Sequence, residues 1–199
     1  MKNSTIKMVG LGDSITYGYP YESEISWFNM AAKQLNIDYI NSGINGDTTD
    51  GMVSRFDRDV IRYKPSHLII MGGTNDAYAG MPADQVFHNI RDMVELALKN
   101  GIVPIIGLPI PCNDLREENL LEQYREEIRQ YTAENNIEVI DFYKAMVDNS
   151  GLKIKEGMHC DDVHPNKAGY GAMTVVAVTI LHNLLQTSLD SLLPTSPSF

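Results

Sequence analysis

Cysteine is scarce: two residues in 199, Cys112 and Cys160, with no C-x-x-C spacing between or around them. That excludes a disulfide framework and a ribbon-type zinc site, and reads as two free thiols in a reducing, cytoplasmic setting. Basic residues are outnumbered, 16 Lys and Arg against 26 Asp and Glu, for a net charge of -10 and a pI near 4.8. Such a surface repels phosphate backbones and anionic headgroups, so neither nucleic acid nor a membrane surface is an expected partner. No apolar run reaches the roughly 18 residues of a membrane span. The greasiest, AMTVVAVTILHNLL at 172–185, is shorter and carries a histidine. The opening MKNSTIKMVGLGDS has no sustained apolar stretch before its first glycine, so no secretory leader is expected and the chain reads as starting at Met1. Repeats and low-complexity tracts are also missing.

What is present is a regular alternation. Five short runs rich in β-branched residues, IKMVGLG, DYINSGI, HLIIMGG, IVPIIGLP and IEVIDFY, are separated by longer stretches of helical period. Strand then helix, five times, predicts a parallel sheet covered on both faces, an α/β chain in three layers, α/β/α. Val86, Phe87, Ile90, Met93, Val94, Ala97 and Leu98 recur at helical spacing, with Gly101 as the stop. Segment 116–134 carries Leu120, Tyr124, Ile128 and Tyr131 on one stripe among charges, which predicts a surface helix with solvated charges. Asn166 is placed to cap a last helix running to about Leu185, whose apolar content predicts burial on most sides. With 43% hydrophobic residues the chain can fill one core. A single domain over 1–199 is expected, its core spanning about 6–185 and its proline-containing tail, 190–199, leaving the fold.

In open parallel sheets ligands gather beyond the carboxyl ends of the strands. The residues there are Gly12-Asp13-Ser14, Gly43 to Thr48, Gly73-Thr74-Asn75-Asp76, Pro109 to Asn113 and the stretch after Tyr143. Ser14 follows a strand and opens a helical segment, the place for an exposed hydroxyl beside a helix N-terminus, and equally the place for a plain turn serine. A nucleophilic serine needs a base, and DDVHPN at 161–166 offers His164 with Asp161 three residues earlier to hold its tautomer. Acyl transfer further needs donors for an oxyanion, which a glycine N–H such as Gly46 and an amide such as Asn75 supply. Each fragment alone has a structural reading: a positive-φ turn at Gly46, a helix cap at Asp47 or Thr48, an Asx-turn at Asn75.

Together, GDSI at 12–15, GINGDT at 43–48, GTND at 73–76 and DDVHP at 161–165 resemble, in order and spread, the motif blocks of the SGNH or GDSL-type hydrolases, which are esterases and lipases. The resemblance covers about residues 6–185. It implies a flavodoxin-like sandwich with strand order 2-1-3-4-5, Ser14 as nucleophile, His164 as base and then acid, and Asp161 as its orienter. Ser14 N–H, Gly46 N–H and the Asn75 amide would form the oxyanion hole. No metal or organic cofactor is implied, and the partner is a small-molecule ester. No Gly-x-Ser-x-Gly is present, which argues against the α/β-hydrolase nucleophile elbow. One departure stands out: Asp162 occupies a position where many relatives carry glycine, and its carboxylate either points to solvent or raises the histidine's pKa.

Tyr17, Tyr19, Tyr21 and Trp27 after the serine, and Tyr78 after Asn75, are candidates either to line a substrate pocket or to cap the core. Pro111, ending the fourth strand with Pro109, is a candidate wall. Cys160 reads as a small buried thiol, and His159, Cys160, Asp161 and His164 match no common zinc spacing. Short connections and no visible lid favour short acyl chains such as acetyl, with lysophospholipase or thioesterase activity as an alternative on the same site. A reading of another class is a non-catalytic flavin binder or phospho-receiver, with Asp13, Asp76 and Lys144 as its acidic pocket and lysine. It leaves Asp161 and His164 without a role.

Overall fold

The computed structural model describes residues 6–148, 150–151 and 153–190; the expected tail from 191 onward lies outside them. In chain order the elements are β1 (Lys7–Gly12), α1 (Ser14–Tyr17), α2 (Trp27–Gln34), β2 (Asp38–Gly43), α3 (Thr49–Ser54), α4 (Phe56–Asp59), β3 (His67–Met71) and α5 (Thr74–Tyr78). They continue with α6 (Ala83–Lys99), β4 (Val103–Gly107), α7 (Leu115–Asn135), β5 (Glu138–Ile140), α8 (Phe142–Met146) and α9 (Lys167–Asp190). The five strands form one parallel sheet in the order β2-β1-β3-β4-β5. All five apolar runs are strands, although the last contributes only three residues before Asp141 caps α8 through its side chain.

The sheet is apolar on both faces because each strand sends alternate residues to opposite sides. Met8, Ile69, Met71, Ile105 and Ile140 face a core closed by α2, α8 and α9, with Trp27 packed on Phe142 at a ring separation of 4.5 Å. Val9, Leu11, Leu68, Ile70 and Ile106 face the other core, closed by α3, α4, α6 and α7. Between β1 and β3 the chain direction of the winding reverses, so their carboxyl ends flank a crevice. Gly12, the last residue of β1, lies in it. A Cβ there would stand 2.2 Å from Thr16 Oγ1 and 2.6 Å from the Met71 carbonyl oxygen, so only glycine lets the chain turn this tightly into α1.

Two expected helices differ from their patterns. In α7 the charges are not all solvated: Glu117 and Arg125 are buried. Arg125 stacks on the Tyr143 ring at 4.2 Å and pairs with Glu118, whose other oxygen accepts from Cys112 N at 2.9 Å. The helix lies over the loop after β4, and that loop's backbone needs polar partners. In α9 burial is one-sided: Tyr170, Met173, Ala177, Leu181 and Leu185 face the core, whereas Val175 is 67% exposed. Asn166 Oδ1 does cap it, accepting from Ala168 N and Gly169 N, but the helix runs to Asp190, past Leu185. Over Lys167–Gln186 it is long and apolar enough to cross a membrane by length and composition, with mean hydropathy 1.4, contrary to the expectation from the shorter run. In the fold this helix packs on α2 and α8.

Candidate active site

Ser14 is the first residue of α1. Asp13 caps that turn, accepting from Ile15 N at 2.9 Å, and this fixes the backbone from which the serine side chain projects. His164 arrives from the far end of the chain on the segment between α8 and α9. That segment is pinned at several points: a His159–Pro165 bridge, Asn166 N to the Met158 carbonyl at 2.9 Å, and Asn113 N to the Asp162 carbonyl at 2.8 Å. The result is a 3.0 Å contact between Ser14 Oγ and His164 Nε2 across 150 positions of sequence.

The spacing of Asp161 and His164 has a local cause. Asp161 Oδ1 accepts from Val163 N at 2.8 Å and His164 N at 2.6 Å, an Asx-type turn that brings the imidazole back over the carboxylate. Oδ2 then meets His164 Nδ1 at 2.9 Å. The partial burial of Asp161 disfavours its charge. The two backbone N–H groups and the imidazole outweigh that and hold its pKa below the ordinary value. Ser14 is buried, His164 half-buried and Asp161 exposed, so the three form a line from the sheet edge to solvent.

On the opposite side of Ser14, residues 44–48 follow β2. Ile44 N donates to the Gly12 carbonyl at 3.0 Å and Asp47 N to the Ile44 carbonyl at 3.2 Å, closing a turn in which Gly46 has φ +78°. A side chain at Gly46 would meet no atom within 4 Å, so the requirement for glycine is conformational. Asn75, on α5, donates from Nδ2 to the Asp47 carbonyl at 2.8 Å, and an amide nitrogen carries a second hydrogen. Below it Asp76 is fully buried and accepts from Thr49 N and Thr49 Oγ1, at 3.1 and 2.6 Å. Asn89 Nδ2 on α6 completes this network by donating to Thr49 Oγ1 at 2.9 Å.

Of the aromatic candidates, Tyr19 is 41% exposed with its ring 4.6 Å from that of His164. Tyr78 is 45% exposed, its pKa pushed up to about 12 by desolvation and by nearby acidic groups that include Asp162. Tyr17 is half-buried. Tyr21 packs edge-on to Tyr170, and Trp27 is wholly in the core. Pro111 is buried, and its carbonyl accepts from His159 Nε2 at 3.1 Å, so it braces the histidine segment. Asp162 is exposed, and the carboxylate on His164 Nδ1 is that of Asp161. Cys160 is exposed, not buried, because its Sγ lies along the outer edge of the histidine loop, 3.3 Å from the His164 carbonyl oxygen. Desolvation raises both thiols, Cys112 to about 11, which makes each a poor nucleophile. Lys144 is 78% exposed and pairs with Asp141, away from Asp13 and Asp76, so the receiver-like trio is not assembled.

The chain's residues 11–172 match the model of the GDSL-like lipase/acylhydrolase family. The chain belongs to this family. Its similarity to a solved G-D-S-L family protein described as lipolytic, from Desulfitobacterium hafniense, extends to 35% identity and a TM-score of 0.81 over 87% of this chain and 98% of the other. Among curated proteins, the lipoprotein YqeF of Bacillus subtilis is 38% identical over 117 residues, 52% of this chain and 48% of YqeF. The arylesterase of Vibrio mimicus is 29% identical over 113 residues, 54% of this chain and 56% of that protein. The chain thus spans about half the length of these two relatives. The acetylxylan esterase of Geobacillus stearothermophilus is 27% identical over 150 residues, 69% of this chain and 68% of the enzyme.

Sequence reasoning missed two sets of buried polar contacts: those of Arg55 with Asp47, Asp59 and the Gly12 carbonyl, and the Arg125–Glu118 pair that braces the loop after β4. Arg55 carried no clear signal, being one of four cations, with Arg58, Arg62 and Lys64, in the stretch 55–64.

Proposed function

We propose that this GDSL-family chain hydrolyses small carboxylic esters through an acyl-enzyme on Ser14. The observation that carries the reading is the 3.0 Å contact between Ser14 Oγ and His164 Nε2, backed by Asp161 Oδ2 on Nδ1. In the proposed cycle Ser14 Oγ attacks the ester carbonyl as its proton passes to His164 Nε2, and the carbonyl oxygen becomes an oxyanion facing Ser14 N–H, Gly46 N–H and the Asn75 amide. Asp161 keeps the Nδ1–H tautomer and stabilises the imidazolium. Collapse breaks the ester C–O bond, His164 protonates the departing alcohol, and water, activated by the same imidazole, releases the carboxylic acid and restores Ser14.

Short acyl groups such as acetyl are the proposed preference. The connections beyond the strand ends, residues 44–48, 72–73 and 108–114, are short and form no lid, and the rim carries exposed Tyr19, Ile44 and Tyr78. The relationship to an acetylxylan esterase supports a small acid, and that to an arylesterase supports ester hydrolysis.

The test is hydrolysis of p-nitrophenyl esters from acetate to long chains by the wild type and Ser14→Ala, with covalent capture by a serine-directed phosphonate. Activity that falls with chain length, vanishes in Ser14→Ala and is lost on phosphonate labelling supports the reading. Undiminished activity in Ser14→Ala sinks it.

A further inference from the structure

We propose that Arg55 is a positioning residue for the oxyanion hole, its guanidinium setting Gly12 on one side and the Gly46–Asn75 donors on the other. The inference rests on the reading of those donors given above. Arg55 is buried, and each of its three nitrogens is committed. Nε donates to Asp47 Oδ2 at 2.7 Å, Nη1 to Asp59 Oδ2 at 3.0 Å and Nη2 to the Gly12 carbonyl at 3.0 Å. The Asp59 bond is an i,i+4 contact that would suffice to hold the local helix. The other two reach away from it, and both end at the site.

Gly12 precedes the Asp13-Ser14 turn, so fixing its carbonyl fixes the strand end from which Ser14 N–H and Oγ are aimed. The same carbonyl accepts from Ile44 N, which anchors the start of the glycine turn. Asp47 follows Gly46 directly. Its side chain is held by Arg55 and by Thr48 N at 3.1 Å, and its own carbonyl takes the Asn75 amide at 2.8 Å. If Asp47 rotates, the Gly46 peptide and the Asn75 side chain move with it. A planar fork with donors at fixed angles can hold three acceptors, on the end of β1, the glycine turn and α4; the point charge of a lysine cannot. Donors displaced by a fraction of an ångström lose their effect on the transition state more than on the bound ester.

The experiment compares wild type, Arg55→Lys, Asn75→Ala and the double variant on p-nitrophenyl acetate, alongside inhibition by a small alkylboronic acid, which binds the serine as a tetrahedral anion. Arg55→Lys is expected to lower kcat by about 10- to 100-fold with KM within about threefold. Boronate affinity should weaken by a similar factor, which a loss of stability alone would not produce. The double variant should lose little beyond the larger single loss, because both changes act on one hydrogen-bonded unit. Arg55→Lys within about threefold of wild type, while Asn75→Ala loses more than tenfold, overturns the inference and leaves the oxyanion reading standing; so do losses that simply multiply in the double variant. Asn75→Ala within tenfold of wild type takes Asn75 out of the oxyanion hole, and the inference, which needs it there, falls with it. Should Arg55→Lys fail to fold, Asp47→Asn decides: it keeps the side chain's size but weakens the charged contact. A loss of kcat of about tenfold with the same boronate penalty supports the inference, and kcat within about threefold overturns it.

Discussion

Asn75 shows how much of the proposed chemistry rests on a single hydrogen. Its Nδ2 already gives one hydrogen to the Asp47 carbonyl, and that bond turns the amide so the second hydrogen has a fixed direction. If that direction is toward the developing oxyanion, Asn75→Ala removes one prepared donor, and kcat should fall on the order of 10²- to 10³-fold with KM little changed. Steady-state kinetics on acetate esters checks this, and an effect below about tenfold takes Asn75 out of the hole. Asp162 is the converse case, a charge beside the histidine with no part in holding it. The carboxylate bonded to His164 Nδ1 is that of Asp161, whereas Asp162 is exposed and engages the loop after β4 through its backbone carbonyl. The pH-rate profile of Asp162→Gly is therefore expected to superimpose on that of wild type; an acidic limb displaced downward would give Asp162 a role in the histidine's titration.

At the level of elements, α7 separates what periodicity reveals from what it hides. The apolar stripe through Tyr124 and Ile128 was legible, as were all five strands and α6, because burial of one face or both leaves a period in the sequence. The fate of Arg125 was not legible: it sits among solvated neighbours such as Glu126 and Glu127 and, apart from Glu118 two turns earlier on the same helix, it is singled out only by its tertiary contacts with Tyr143 and the Pro109 carbonyl in the loop after β4. The same reason separates Ser14, Asp161 and His164, whose motifs lie in short local turns, from Arg55, whose acceptors come from three places along the chain. Arg125 is buried and Glu118 is 22% exposed with Cys112 N as a second partner, so Arg125→Ala, which removes the packing on Tyr143 and one partner of a partly shielded carboxylate, should destabilise the fold by about 2 kcal/mol. Arg129→Ala, four residues on, with its guanidinium 38% exposed and 3.6 Å from Asp141, should stay within about 0.5 kcal/mol. Urea unfolding of the two variants tests the contrast, and equal losses would mean that the Arg125 contacts contribute no more than a surface pair.

For the molecule as a whole, the buried acid beside Ser14 ties stability to pH. Asp13 is buried, and desolvation, with the charges of Asp76 and Asp47 adding to it, pushes its pKa from 3.8 up to about 7 against the opposing pull of the Ile15 and Thr16 N–H groups. The folded state therefore keeps a proton that the unfolded chain has already released, and the stability this represents is complete below pH 3.8 and lost as pH rises through about 7. The interval corresponds to roughly 4 kcal/mol at 1.36 kcal/mol for each pKa unit. Two other effects overlap it. Burial lowers His67 and His159 below 6.5, which costs stability as pH falls, and a net charge of -10 repels itself more strongly as pH rises. Comparing Asp13→Asn with wild type cancels both, since the histidines and nearly all of the surface charge are shared. The amide keeps an oxygen for Ile15 N and cannot ionise, so the Tm of the variant relative to wild type should be lowest below pH 3.8, rise progressively up to about pH 7 and level off above it. A Tm difference that does not change across that range would show that the Asp13 carboxyl titrates in the fold much as it does in the unfolded chain, and that its burial among acidic neighbours carries no protonic cost.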